Sequence, residues 1–70
     1  MTDIDHPGYY GGNGIEAIDV IESWSLGFHL GNVVKYVSRA GKKPGTEAVT
    51  DLRKAAWYLN RVINRLEREQ

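Results

Sequence analysis

Apolar residues recur at helical spacing in the first half of the chain. Ile15, Ile18 and Ile21 lie three residues apart and predict a short helix over residues 15–24, with Asn13 as its N-cap. A second helix is predicted over residues 28–40. Four apolar positions of this helix are expected to face inward: Leu30, Val33, Val34 and Val37.

Glycine and proline mark where the second helix ends and the third begins. Gly41 follows the second helix directly, and glycine is the residue that most often ends a helix in the left-handed conformation. Lys43, Pro44 and Gly45 then predict a turn.

A third helix is predicted over residues 46–68. Its apolar positions are spaced by three and four residues in alternation: Val49, Leu52, Ala56, Leu59, Ile63 and Leu66. This is the heptad pattern of a helix that packs along another helix. A helix of about 20 residues is about 30 Å long, so we expect a partner chain to cover part of it.

Residues 1–14 contain five glycine or proline residues and are predicted to form an arm rather than a helix. No segment alternates apolar and polar residues with a period of two. The chain is therefore predicted to be a single all-α domain, 1–70, with three helices and a glycine-rich arm.

Length and composition favour self-association. The chain has 70 residues and no cysteine, which excludes disulfides and thiolate-ligated zinc. Domains of this size seldom have a sufficient core of their own and are commonly stabilised by oligomerisation. We expect a homo-oligomer. With no long apolar run and no secretory signal in the acidic first residues, we expect it in the cytoplasm and not in a membrane.

Charge is divided between the two halves of the chain. Residues 1–34 hold five acidic residues and no Lys or Arg, whereas residues 35–70 hold all nine basic residues and four acidic ones. Such a division suits pairing within the chain, pairing between subunits, or binding of an anion. Because the net charge is zero, we do not expect DNA as a partner.

A polar stripe on the second helix is the first candidate site. Asn32, Lys35 and Arg39 are three and four residues apart and share one face, with Tyr36 beside them. Lysine and arginine together suit phosphate oxygens, and Lys43 adds a cation near the end of the helix. The alternative is a solvated basic face, or ion pairs with Asp19 and Glu22 of the first helix.

Aromatic residues of the arm are the second candidate. Tyr9 and Tyr10 lie among glycines and could stack on a nucleobase, or could instead pack on the third helix. Trp24, Phe28 and Trp57 are expected in the core or between subunits.

Acidic residues leave a metal-dependent alternative open. Glu16, Asp19 and Glu22 are three residues apart and could hold Mg²⁺ for nucleotide hydrolysis, although a second acidic helix is missing. We expect no metal and no cofactor. Neither His6 nor His29 has a nearby nucleophile to activate.

The chain as a whole resembles a small domain common in tailed phages. Four segments carry the resemblance: His6-Pro7-x-x-Tyr10-Gly11-Gly12, Glu16-x-Ile18-Asp19-Val20-Ile21-Glu22, Leu30-Gly31-Asn32-x-x-Lys35-Tyr36-x-x-Arg39-Ala40-Gly41-x-Lys43 and Asp51-Leu52-x-Lys54-Ala55-x-Trp57-Tyr58-Leu59-x-Arg61. This domain has no assigned function but is associated with nucleotide kinase activity, because a phage enzyme that phosphorylates deoxynucleoside monophosphates carries it. The resemblance implies a nucleotide site on the arm and the second helix.

Three functions therefore remain in competition. The chain is predicted to bind and sequester a nucleotide, or a cyclic nucleotide immune signal, in a pocket shared between subunits. The alternatives are a deoxynucleoside monophosphate kinase-like enzyme, or a structural or host-protein-binding helical module. The predicted ligand-binding residues are His6, Tyr9, Tyr10, Asn32, Lys35, Tyr36, Arg39 and Lys43.

Overall fold

The computed structural model describes residues 14–42 and 44–70 and shows a small all-α fold in that part of the chain. It contains three helices: α1, Ala17–Ser23; α2, Phe28–Arg39; and α3, Ala48–Arg68. Their bounds lie within two residues of the predicted ranges. Between residues 14 and 70, the described segments contain no strand, so the all-α prediction is confirmed.

The beginning of α1 differs from the prediction, because Glu16 and not Asn13 is the N-cap. Glu16 has an extended backbone, and its backbone N–H donates to Asp19 Oδ2 at 2.8 Å. The Glu16 side chain accepts the backbone N–H of Asp19 in return. This reciprocal capping box satisfies two backbone donors and fixes the start of the helix. Asn13 itself lies outside the described residues.

α1 ends in a Schellman motif with a serine in the left-handed position. The N–H of Leu26 donates to Ile21 O at 3.0 Å, and that of Ser25 donates to Glu22 O at 3.1 Å. Ser25 has a φ of 55°, a conformation that glycine adopts much more easily than serine. The chain thus reverses direction at Ser25 with some backbone strain.

A type II turn follows α2. Ala40 has φ −58° and ψ 120°, Gly41 has φ 77°, and the N–H of Lys42 donates to Arg39 O at 2.9 Å. The third position of this turn requires a positive φ, which favours glycine. Gly41 therefore ends α2 at the position predicted from the sequence.

α2 and α3 pack side by side as an antiparallel hairpin, and α1 packs against α2. The end of α2 contacts the start of α3 through Arg39 and Asp51, while His29 at the start of α2 lies near Arg65 late in α3. α1 reaches α2 at Gly31, where an added Cβ would come within 3.4 Å of the Ile21 side chain. Gly31 therefore allows the close approach of these two helices.

The interior of the described chain is small. Its buried residues are Gly31, Arg39, Asp51 and Ala55, of which Ala55 is the single apolar side chain. The prediction that Leu30 and Val37 face inward is wrong, because both are exposed, while Val33 and Val34 are half-buried. Trp24, Phe28 and Trp57 are likewise exposed within the chain.

The heptad positions of α3 turn away from α2. The residues that pack towards α2 are Asp51, Ala55, Tyr58 and Val62, which are buried or half-buried and recur at spacings of four, three and four. The heptad residues Val49, Leu52, Leu59, Ile63 and Leu66 are 41–52% exposed. We call these five residues with Ala56 the apolar seam. α3 therefore has two apolar faces, and among residues 14–42 and 44–70 only one of them packs on another helix.

Candidate functional site: a basic and aromatic face

Arg39 is an interior residue rather than a solvated one. Its Nε donates to Asp51 Oδ1 at 3.1 Å, and the side chains are 9% and 0% exposed. The second carboxylate oxygen, Asp51 Oδ2, is also buried and has no hydrogen-bond partner among the residues described. The ion pair joins the last turn of α2 to the first turn of α3.

Cations from both helices surround the Tyr36 ring. The Arg39 guanidinium carbon lies 4.6 Å from its centroid, the Lys35 Nζ 5.2 Å and the Lys54 Nζ 5.4 Å. All three are within cation–π range. We call these four residues the Tyr36 cluster. Lys35 is half-buried and Lys54 is exposed, so their ammonium groups are accessible from solvent.

Tyr58 is the centre of an aromatic group that adjoins the Tyr36 cluster. Tyr36 stacks on Tyr58 with an interplanar angle of 11° and centroids 6.0 Å apart. Phe28 and Trp57 meet Tyr58 edge-on at 5.8 and 5.0 Å. Trp57 is 56% exposed, and the Arg61 guanidinium lies 5.3 Å from its ring. An exposed indole thus lies beside the cations.

The far end of the same hairpin carries a basic cleft of about 90 Å³. Its lining residues all bear N–H donors or an imidazole: His29, Arg61, Asn64, Arg65 and Arg68. Within 14–42 and 44–70, no carboxylate forms an ion pair with these three arginines. Arg61 lines the cleft and contacts Trp57, so the cleft and the aromatic group are continuous.

The structure brings together three of the predicted site residues. Lys35, Tyr36 and Arg39 meet in the Tyr36 cluster. Asn32 instead uses its side-chain N–H₂ to donate to Phe28 O at 2.8 Å, one turn earlier in α2. His6, Tyr9, Tyr10 and Lys43 lie outside the described residues, and their roles stay predictions.

The ion pair of Arg39 differs from both alternatives to a phosphate site, which were a solvated basic face and an ion pair with the first helix. Its carboxylate partner is Asp51 of α3, not Asp19 or Glu22 of α1, and its side chain is buried. Asp51 neutralises the Arg39 guanidinium, but the separation of 12 residues between the two hides that relationship in the sequence. The direct phosphate contact predicted for Arg39 stays a prediction.

α3 contributes three residues to this face that are not among the predicted ligand-binding residues. Lys54, Tyr58 and Arg61 lie on one stripe of α3 at spacings of four and three, which is a visible signal. Which side of α2 this stripe approaches is set by the packing of the hairpin. That packing places Tyr58 on Tyr36 and Lys54 beside the same ring.

The acidic residues of α1 have a structural role. Glu16 and Asp19, two of the three carboxylates considered for Mg²⁺, cap the helix reciprocally. Among the described residues, no group of three or more His, Asp or Glu side chains could hold a metal ion. In the same part of the chain, no helix combines the length and the apolar character needed to cross a membrane.

Comparison with known proteins places the chain in a phage family. Residues 4–60 match the family described as a protein of unknown function, DUF3310. The gene 1.7 protein of Enterobacteria phage T3 is 42% identical over 64 residues, which cover 81% of this chain and 39% of that protein. The chain thus spans about two fifths of the length of this curated relative. No solved structure matches. The chain belongs to the DUF3310 family.

Proposed function

We propose that the chain binds a nucleotide on the basic and aromatic face of the α2–α3 hairpin. The observation that supports this most is the convergence of three cations from two helices on one aromatic ring, with a further exposed indole beside it. Nucleotide sites need both components, because the phosphate is an anion and the base has a flat apolar face.

Local charge favours an anionic ligand. The Tyr36 cluster holds Lys35, Arg39 and Lys54, and among the described residues Asp51 forms an ion pair with Arg39. Counted over these described side chains, three cations and one carboxylate give a net charge of about +2. Like charges this close repel one another, and a phosphate group between them would relieve that repulsion.

The two lysines are proposed to contact the phosphate, and Arg39 to position them. Lys35 comes from α2 and Lys54 from α3, and both ammonium groups reach solvent. The Arg39 guanidinium is held by buried Asp51, so its main effect is to fix the two helices and the orientation of the Tyr36 ring. Lys54 is thus proposed as a phosphate contact in addition to Lys35, and a direct contact of Arg39 with the phosphate is a separate prediction.

The base is proposed to stack on Trp57. Its indole is more than half exposed and is held edge-on by Tyr58. Stacking of a base on an aromatic side chain contributes about 1–3 kcal/mol. Tyr9 and Tyr10 of the arm remain the predicted second layer of this stack.

A discrete nucleotide suits this face better than a long nucleic acid. The cations of this face come from a small group of residues, Lys35, Arg39, Lys54 and Arg61, and the net charge of the whole chain is zero. Proteins that bind nucleic acid through its backbone usually carry a strong positive net charge. Each proposed contact in the described region comes from one chain, so the proposal does not require a pocket shared between subunits.

A thermal-shift screen tests the proposal. The parent protein is mixed with mononucleotides, linear dinucleotides and cyclic nucleotides, with inorganic pyrophosphate as a phosphate-only probe. At least one nucleotide is expected to raise the melting temperature more than pyrophosphate does. The nucleotide recovered from the mixture is then analysed by chromatography.

An intact recovered nucleotide supports binding without turnover. A phosphorylated or hydrolysed product would instead support the kinase-like alternative. If no nucleotide changes the melting temperature, the proposal is wrong and the structural or host-protein-binding alternative is favoured.

A further inference from the structure

We propose that a second copy of this chain packs antiparallel against the apolar seam of α3, so that two hairpins form a four-helix bundle. This inference does not depend on the proposed nucleotide site. It begins from a mismatch in the described part of the chain: Ala55 is the one buried apolar side chain there, whereas the large side chains of the seam are about half exposed. Small domains with so little core are commonly stabilised by association.

The exposed apolar surface of the hairpin is continuous across both helices. Leu30 and Val37 are seven residues apart and therefore lie on one side of α2, about a quarter turn from the face that carries His29 and Tyr36. The seam lies about a quarter turn from the α2-facing side of α3. Because the two helices are antiparallel, these rotations bring both apolar sets to the same side of the hairpin. A partner can cover them together.

The spacings between seam residues are the same in both directions along α3. A second α3 that runs antiparallel can therefore match the seam layer by layer. In the antiparallel register that aligns the seam with itself, Val49 faces the partner's Leu66, Leu52 faces the partner's Ile63, and Ala56 faces the partner's Leu59. The three layers then pair valine with leucine, leucine with isoleucine, and alanine with leucine. The two-fold axis passes between residues 57 and 58.

Charge complementarity selects the antiparallel direction over the parallel one. Arg53, Asn60 and Glu67 follow the seam at seven-residue intervals on the side away from α2. In the antiparallel register Arg53 lies near the partner's Glu67 at both ends of the interface, and Asn60 meets the partner's Asn60. In a parallel pair, Arg53 would instead lie beside the partner's Ala48, and Glu67 beside the partner's Val62. Only the antiparallel pair gives two opposite-charge contacts.

The dimer leaves the basic and aromatic face open. Lys54, Arg61 and Arg68 recur every seven residues on the side of α3 that is turned away from the seam. The two protomers therefore present their basic faces on opposite outer surfaces of the bundle.

Distances between spin labels test the direction of packing. Single cysteines replace the exposed residues Arg61 or Arg68 in separate variants of the full chain, which has no cysteine of its own. In the proposed dimer the labels at position 61 lie about 10 Å apart along the axis and those at position 68 about 30 Å. The label distance should therefore increase clearly from the first variant to the second. Equal distances at both positions would show a parallel pair, and a monomer in sedimentation would also overturn the proposal.

A charge-exchange series provides a second test that does not rely on labelling. Arg53→Glu and Glu67→Arg each place like charges together twice in the antiparallel dimer, and each should weaken dimerisation by about tenfold. The double variant Arg53→Glu with Glu67→Arg restores both contacts and should return to the parent dissociation constant. Circular dichroism checks that all three variants remain helical. Equal weakening in the double variant, or no effect in any variant, would contradict the proposed register.

Discussion

The Arg39 guanidinium and the Asp51 carboxylate form a buried ion pair, with 3.1 Å between Nε and Oδ1, that joins the end of α2 to the start of α3. Ion pairs are rarely this well buried in so small a domain. Here the pair occupies the place where an apolar core would be expected, and it also holds the guanidinium 4.6 Å from the Tyr36 centroid. The pair therefore links the stability of the hairpin to the geometry of the candidate site.

Removal of one member of this pair should strongly destabilise the fold. Arg39→Ala leaves the Asp51 carboxylate buried without its charge partner, which typically lowers the free energy of unfolding by about 3–5 kcal/mol. We expect the variant to be largely unfolded in urea titrations followed by circular dichroism.

Simultaneous replacement of both members separates charge from packing. Arg39→Met combined with Asp51→Leu removes both charges and keeps apolar volume, so it should recover most of the stability lost in Arg39→Ala. If Arg39→Ala is as stable as the parent, the ion pair has no structural role and the interpretation of Arg39 as an interior residue is wrong.

A glycine at position 25 should stabilise α1. Ser25 has a φ of 55° at the end of the Schellman motif, and a non-glycine residue in this conformation costs about 1–2 kcal/mol. Glycine also gains entropy in the unfolded chain, and this offsets part of the strain that is relieved. We therefore expect Ser25→Gly to raise the free energy of unfolding by up to about 1 kcal/mol. The matched control is Ser23→Gly in the last helical position, which should lower it by a few tenths of a kcal/mol. Equal effects of the two changes would exclude the assigned role of Ser25.

An alanine at position 41 should destabilise the connection between α2 and α3. Gly41 has a φ of 77°, and an added Cβ would lie 3.4 Å from the Ala48 Cβ. Gly41→Ala is therefore expected to lower the melting temperature, with a loss of about 1 kcal/mol or more. Gly27→Ser is the control, because Gly27 is an N-cap with a negative φ and open space around it. That variant should be neutral or slightly stabilising, and a loss equal to that of Gly41→Ala would contradict the argument from φ.

The helices could be predicted from the sequence because their signals are local. Three-residue spacing, the heptad seam and Gly41 each act within a few positions, and they give all three helices to within two residues. The N-cap differs from the prediction because asparagine favours this position and glutamate does not, so the sequence points to Asn13. The reciprocal bonds between Glu16 and Asp19 instead make Glu16 the cap.

The candidate site could be predicted only in part, because it depends on how two helices pack. The stripe with Lys35, Tyr36 and Arg39 lies within α2, so its spacing can be predicted from the sequence. The ion pair of Arg39 with Asp51 and the stack of Tyr36 on Tyr58 need the rotation of α3 against α2. The pattern of α3 shows two faces at helical spacing, and the sequence does not say which of them packs on α2.

The most direct test of the proposed nucleotide site compares the parent with two lysine variants. The parent, the double variant Lys35→Gln with Lys54→Gln, and the control Lys42→Gln are each titrated calorimetrically with the nucleotide that gives the largest thermal shift in the screen. Lys42 is an exposed lysine in the turn after α2, outside the Tyr36 cluster. Circular dichroism confirms that each variant is folded.

The double variant is expected to bind at least about tenfold more weakly than the parent, because it loses two charge-assisted contacts to the phosphate. The control is expected to bind like the parent. Equal affinity of the double variant and the parent, or an equal loss in the Lys42→Gln control, would contradict a nucleotide site at Lys35 and Lys54.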